Sequence, residues 1–235
     1  MTKYGRIANA IQQYILEKEL KTNDQLPIIT DLVEQFAVSK STIIKALEVL
    51  EIKGVIYQRR GSGSFVRAPK RPAYINLAHQ SGIGKDFENF VLTQEVLGVT
   101  LVPATKQIAD ILLIDEETSV FRVKRVTSLN GMKAIFETSY YNTSIVPYLD
   151  EDIVKDSIFS YIKAEYHFEY AFSDSYFVLE ECDEVVAELL DLEVGSLVMM
   201  YEEIFYSADG VPFDYCVSYY HPKVVRFYSG GIPRA

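Results

Sequence analysis

Residues 39 to 66, SKSTIIKALEVLEIKGVIYQRRGSGSFV, concentrate cations and hydroxyls in a chain whose formal net charge is −10. Lys40 and Lys45 stand near the start of a helical pattern, and Arg59 and Arg60 precede a glycine-rich turn. Such cations can neutralise phosphates and reach base edges, with help from neighbouring hydroxyls. Lysines on an isolated helix fit a solvated face equally well, so the cluster has to be judged by the elements that carry it.

Charge and composition separate this region from the rest of the chain. Residues 1 to 71 hold 12 Lys/Arg against 7 Asp/Glu, a net charge of +5, and the remainder holds 11 against 26, a net charge of −15. The asymmetry predicts two modules with different partners. The proline-containing stretch RAPKRPAYIN lies between them and predicts a linker.

Apolar spacing predicts three helices and a hairpin in the first module. Ile7, Ile11 and Ile15 place one face of a first helix over roughly residues 4 to 19. A short second helix follows, with Thr30 or Asp31 able to cap its start.

Ser39 predicts the N-cap of the third helix, whose apolar positions follow i, i+3, i+4, i+7 spacing up to Gly54. Two short strands around Gly61-Ser62-Gly63 complete a basic wing. The first module is therefore predicted to be a winged helix-turn-helix that binds double-stranded DNA.

The stretch LPIITDLVEQFAVSKSTIIKALEVLEIKGVIYQRRGSGSFV resembles the DNA-binding domain of the GntR family of bacterial transcription regulators. Leu-Pro opens helix two of that family, Val-Ser-Arg opens its recognition helix, and Gly-x-Gly-x-Phe-Val closes its wing. Here Thr30 falls where the family usually has an arginine, and Lys40 replaces another. The residues expected to contact DNA are Thr30, Ser39, Lys40, Ser41, Thr42, Lys45, Arg59, Arg60 and Gly63.

An internal repeat organises the second module. Residues 107 to 141 parallel residues 185 to 220, with Asn130-Gly131 matching Asp209-Gly210, and each copy reads helix, strand, tight turn, strand. Two copies predict a pseudo-symmetric α+β domain with an antiparallel sheet. The expected division is residues 1–68 for the winged helix-turn-helix, 69–76 for the linker and 77–235 for an effector-binding and dimerisation domain.

The second module resembles the UTRA effector domain, a chorismate-lyase-like fold that accompanies one branch of GntR regulators. The resemblance rests on VKRVTSLNGMKAIFETSYY, DSIFSYI and GVPFDYCVSYYHP. It implies a sugar phosphate or a related carbohydrate metabolite as effector. It also implies ligand contacts from the Ser157 hydroxyl and from the backbone amides of Ile83 and Gly84. Thr127, Phe159 and His221 stand where the family pattern has an arginine, a tyrosine and an arginine, respectively.

Strand alternation places Arg125 and Glu137 on largely apolar faces. Arg125 either forms a structural ion pair with Glu137 or Glu203, or anchors an anion or hydroxyl of the effector. The aromatic faces and hydroxyls of Tyr141 and Tyr215 suit sugars, although strand tyrosines are commonly core residues. The residues expected to contact an effector are Ile83, Gly84, Arg125, Glu137, Ser139, Tyr141, Ser157, Asp214 and Tyr215.

These observations predict a cytoplasmic transcription regulator, a repressor that binds a palindromic operator as a homodimer and responds to a metabolite. Two cysteines and three dispersed histidines indicate neither a disulfide framework nor a metal site, and no cofactor or membrane span is expected. Two alternatives remain open: a DNA-binding protein without a ligand, and a lyase-like enzyme suggested by fold analogy alone.

Overall fold

The computed structural model describes residues 2–68, 74–76, 90–168 and 170–229. The chain forms two compact units, Met1–Asp86 with Phe227–Ala235, and Phe87–Arg226. Most of the predicted linker, residues 69–73, lies outside the described residues, and its last three residues form a strand. The elements of the first unit are α1 (Lys3–Glu17), α2 (Ile29–Phe36), α3 (Lys40–Ile52), β1 (Ile56–Arg59), β2 (Gly63–Val66) and β3 (Tyr74–Asn76), which pairs with β10 (Arg226–Tyr228) near the end of the chain.

The three helices of the first unit begin and end close to the predicted positions. Thr2 caps α1, and Ser39 caps α3 as predicted, because each side chain accepts a hydrogen bond from a backbone amide of the first turn. The predicted cap of α2 is wrong: Ile28 occupies the N-cap position without a side-chain hydrogen bond, and Thr30 lies inside the helix. The shared core consists of Ala8, Ile11, Ile15, Leu26, Leu32, Ile43, Ala46, Leu47, Leu50, Ile56 and Val66.

The wing is a two-stranded hairpin braced by the segment before α2. Strands β1 and β2 pair antiparallel, with Ile56 opposite Val66 at one end and Arg59 opposite Gly63 at the other. The backbone of residues 23–26 hydrogen-bonds to β2, and the Gln25 amide donates to the Ser62 carbonyl at 2.7 Å. The hairpin is therefore held against the helical core rather than left as a free loop.

The elements of the second unit are β4 (Leu92–Pro103), α4 (Lys106–Leu112), β5 (Ser119–Leu129), β6 (Met132–Asn142), α5 (Glu151–Val154), α6 (Ile158–Tyr166), β7 (Phe172–Glu181), α7 (Glu184–Leu189), β8 (Leu197–Tyr206) and β9 (Pro212–Tyr220). The strands form one six-stranded antiparallel sheet in the order β4-β5-β6-β9-β8-β7. The strand order is symmetric about the contact between β6 and β9. Each half reads strand, helix, strand, turn, strand, which confirms the predicted repeat and the α+β class.

Helices cover both faces of the sheet. On one face, α4 and α7 pack against strand residues such as Val120, Val126 and Val198. On the other face, α5 and α6 contribute Val154 and Ile158 to a core that includes Val123. No helix among the described residues is long and apolar enough to cross a membrane.

Gly63 gives a direct test of how the wing is held. Its φ is +115°, and an added Cβ would lie 2.8 Å from Nε2 of Gln25. We expect Gly63→Ala to lower the free energy of unfolding of the full chain, measured in urea, by about 1–3 kcal/mol, because a Cβ is strained at this φ and the Gln25 amide would have to move away from the Ser62 carbonyl. Gly61→Ala is the matched control, since Gly61 also has positive φ but open space around it. Equal losses in the two variants would contradict the bracing by Gln25.

Candidate DNA interface and effector site

The start of α3 presents an exposed polar edge. The Ser39 hydroxyl accepts from the Thr42 amide at 3.3 Å and lies 3.0 Å from the Ser41 hydroxyl and 2.8 Å from that of Thr42. Lys40 and Ser41 are exposed, whereas Thr42 is half-buried. Capping thus orders the first turn while Lys40 and Ser41 stay accessible to an anion such as a DNA phosphate.

The second lysine of α3 is held against α1. Lys45 is exposed, and its Nζ lies 5.9 Å from the ring centroid of Tyr4. A cation over an aromatic face is weakly attracted to it, which limits the directions in which the ammonium group points. Thr30, on α2, is exposed and its hydroxyl lies 3.5 Å from the Asp31 carboxylate.

The wing positions its cations at the hairpin tip. The Arg59 guanidinium lies 4.9 Å from the ring centroid of Phe65, which itself stacks on Tyr57. Arg60 follows in the turn, exposed to solvent, and Gly63 begins the returning strand. In the described part of the chain, Lys40, Arg59 and Arg60 take part in no ion pair. Their charge is therefore available to a polyanion.

Cross-strand register in the second unit gathers several predicted effector residues on one face of the sheet. Arg125 lies opposite Glu137, Ser139 lies opposite Cys216, and Tyr141 lies opposite Asp214. We call this region the polar face; its members are Arg125, Glu137, Ser139, Tyr141, Glu203, Asp214, Cys216 and Ser218. A register shift near Ala134 of β6 moves Glu137, rather than Phe136, opposite Arg125.

Two predicted effector residues, Tyr215 and Ser157, lie outside the polar face. Tyr215 points to the opposite face, where it packs in the core with α4 and its hydroxyl donates to Glu202. Ser157 caps α6, accepting from the Ser160 amide at 3.3 Å and from the Ser160 hydroxyl at 3.0 Å. Ile83 and Gly84 fall outside the described residues, so the loop contacts implied by the resemblance stay predictions.

An ion pair lies at the centre of the polar face. Nε of Arg125 donates to Oε1 of Glu137 at 2.8 Å, Nη2 contacts the same oxygen, and Nη1 donates to the Val154 carbonyl at 3.2 Å. Both side chains are largely buried. Of the partners considered from the sequence, Glu137 rather than Glu203 neutralises Arg125.

Two further carboxyl groups on this face have no cationic partner among the described residues. Burial, reinforced by the nearby charges of Glu137 and Glu203, raises the pKa of Asp214 well above its usual range. Burial also raises the pKa of Glu203 to about 8, although Ser173 donates to its carboxylate at 2.9 Å. The carboxyl group of Glu203 is therefore mainly protonated at neutral pH.

Glu203, Cys216 and Ser218 were not assigned to the effector site from the sequence. The internal repeat carried a usable signal, because Glu203 occupies in the second copy the position of Arg125 in the first, and Cys216 the position of Glu137.

Among the described residues, no group of three His, Cys, Asp or Glu side chains is arranged to hold a metal ion.

The raised pKa of Glu203 predicts how stability depends on pH. The folded state holds this proton up to about pH 8, whereas the unfolded chain releases it near pH 4.5, so stability is greatest below pH 4.5 with respect to this group. We expect Glu203→Gln to remove part of the loss of stability between pH 5 and 8, on the order of a few kcal/mol, in urea unfolding of the full chain. The control is Glu181→Gln, exposed on β7. Parallel pH profiles for wild type and Glu203→Gln would refute this.

Comparison with known proteins agrees with both halves of this description. The model of the bacterial regulatory proteins of the gntR family matches residues 3–66, and that of the UTRA domain matches residues 88–226. The uncharacterized HTH-type transcriptional regulator YydK of Bacillus subtilis is 42% identical over 227 residues, which cover 97% of this chain and 96% of YydK.

A crystal structure and one more relative extend the comparison. The crystal structure of YydK superimposes with a TM-score of 0.85 at 40% identity, covering 99% of this chain and 100% of that one. The mannosyl-D-glycerate transport/metabolism system repressor MngR of Escherichia coli is 29% identical over 68% of this chain and 67% of its own length. These relatives are transcriptional regulators, which rules against the lyase-like enzyme. The chain belongs to the gntR family of bacterial regulatory proteins, in the group whose second domain is a UTRA domain.

Proposed function

We propose that this metabolite-responsive regulator represses transcription as a homodimer on a palindromic operator, and that a carbohydrate metabolite bound at the polar face changes its affinity for DNA. The observation that carries this proposal is the pairing, in one chain, of an unneutralised cationic edge on the first unit with a buried, incompletely satisfied polar face on the second. The first feature suits a polyanion, and the second suits a small molecule.

DNA contact is assigned to the start of α3 and to the tip of the wing. Lys40 at the first position of α3 can reach a base edge or a phosphate, and Ser41 beside it can donate to a phosphate oxygen. Arg59 and Arg60 at the wing tip suit the adjacent backbone or minor groove. This assignment places the start of α3 in the major groove, as in helix-turn-helix proteins, and the wing beside it on the same face of the duplex.

Repression and a carbohydrate ligand are supported by likeness to MngR, whose name describes a repressor of a mannosyl-D-glycerate system. The polar face also fits a ligand of this kind, since Tyr141, Ser139 and Asp214 offer hydroxyl and carboxyl groups beside aromatic surface. A ligand alters DNA affinity only if it binds two arrangements of the dimer unequally.

A homodimer supplies two recognition helices to a palindromic site, and β7 is the surface we assign to it. This strand ends the described sheet and exposes Tyr176, Phe177, Val178 and Leu179 in succession. It contains no proline or lysine, the residues that commonly protect a sheet edge. A second copy paired antiparallel to β7 would bury the same apolar run from both chains.

Neutralising the DNA-facing cations tests the interface. With an operator selected from random duplex DNA by the wild-type protein, we expect Lys40→Gln to weaken binding by about 1–3 kcal/mol. Arg59→Gln with Arg60→Gln should reduce the slope of log affinity against log salt by about 2, because two phosphate contacts are lost. Fluorescence anisotropy measures both. Lys106→Gln, exposed at the start of α4, should leave affinity unchanged, and an unaltered salt slope in the double variant would count against the wing contact.

The dimer surface is tested by an aspartate placed on β7. We expect the wild-type chain of 26.8 kDa to behave as a dimer in light scattering. Leu179→Asp should raise the dimer dissociation constant at least about tenfold, because it sets a charge in an apolar interface. Leu113→Asp is the control, since Leu113 is 74% exposed and Leu179 is 68% exposed. Identical dissociation constants for wild type and Leu179→Asp would exclude β7.

A further inference from the structure

The one cation of the polar face is already engaged by the protein. Three of the five N–H groups of Arg125 donate to Glu137 or to the Val154 carbonyl, and Glu137 neutralises its charge. Along the described rows of this face, from β5 to β8, the strands carry no other Lys, Arg or His. A phosphate group would therefore have to break a buried ion pair in order to gain a cationic partner.

The same face has an excess of carboxyl groups. Glu203 and Asp214 are 5% and 2% exposed, respectively, and neither has a cationic partner among the described residues. A carboxyl group, charged or neutral, supplies no positive charge to a phosphate dianion, and Arg125 is already neutralised by Glu137. The described residues of this face therefore leave a dianionic ligand without a cationic partner.

One carboxyl oxygen of Asp214 lacks a hydrogen-bond partner in the described part of the chain. Oδ1 of Asp214 is buried and has no hydrogen-bond partner among the described residues, and Asp214 lies opposite Tyr141 on one side and Phe205 on the other. An unsatisfied buried acceptor is costly unless a ligand or water donates to it. A hydroxyl group can make that donation and can accept from a neighbouring group in return.

We infer that the polar face binds an uncharged, hydroxyl-rich metabolite without a phosphate group, which donates a hydrogen bond to Oδ1 of Asp214 while Arg125 stays paired with Glu137. This inference rests on the proposed function and specifies the ligand class of that site. A cationic ligand fits less well, because burial raises the pKa of both Asp214 and Glu203 and so disfavours the carboxylate form that a cation would need as its partner.

Inorganic phosphate is the first probe. We expect the melting temperature of the full-length wild-type chain to be the same in phosphate as in potassium chloride of equal ionic strength. Glu137→Gln frees the Arg125 charge and should create a saturable phosphate-dependent rise, which disappears in the double variant Arg125→Gln, Glu137→Gln. A saturable rise already present in wild type and lost in Arg125→Gln would overturn the inference while leaving a ligand-responsive site in place.

Matched sugars are the second probe. Glucose, mannose and N-acetylglucosamine, each with its 6-phosphate, are titrated into the full chain by calorimetry. For every sugar that binds, we expect the free form to bind at least about tenfold tighter than its phosphate, with binding lost in Asp214→Leu, a variant of similar shape without the acceptor. Tighter binding of a phosphate overturns the inference alone. No binding by any sugar, combined with no phosphate response in Glu137→Gln, would count against the site and hence against the proposed function as well.

Discussion

The second unit depends on the antiparallel pairing of β6 with β9. This pairing joins two copies of one repeat, with Ile135 opposite Tyr220 at one end and Tyr141 opposite Asp214 at the other. Because the two copies meet around an approximate two-fold axis, Arg125 of the first and Glu203 of the second lie on the same face of the sheet. The repeat therefore assembles a polar centre that neither copy contains alone, and the substitutions that distinguish the copies decide its charge.

The two units place their charged residues differently. The first unit leaves its cations exposed at the start of α3 and at the wing tip, where association with DNA releases counterions. The polar face of the second unit buries the carboxyl groups of Glu137, Glu203 and Asp214, and its largely buried Arg125 is neutralised by Glu137. Buried ion pairs contribute little to net stability compared with apolar residues of similar size. A role in recognising a ligand gives a reason for keeping this pair, together with Asp214, in the middle of a sheet.

Apolar periodicity and turn residues were enough to predict the three helices, the wing, the internal repeat and the antiparallel sheet. They were not enough for details set by tertiary packing. Ile28 rather than Thr30 precedes α2, which begins three residues before the fully buried Leu32. The Asn130-Gly131 turn alone would have placed Phe136 opposite Arg125, and the register shift in β6 brings Glu137 there instead. The position of Tyr215 on the face opposite to Asp214 could have been predicted from the sequence, since neighbouring residues of one strand face opposite sides of the sheet.

The most direct test is a titration of the preformed operator complex with a free sugar that calorimetry shows to bind, followed by fluorescence anisotropy. The account predicts a change in DNA affinity of at least about fivefold, corresponding to a coupling free energy of about 1 kcal/mol, and no change in Asp214→Leu. DNA affinity that stays constant while the ligand saturates the wild-type complex would contradict the central claim that the polar face controls binding to DNA.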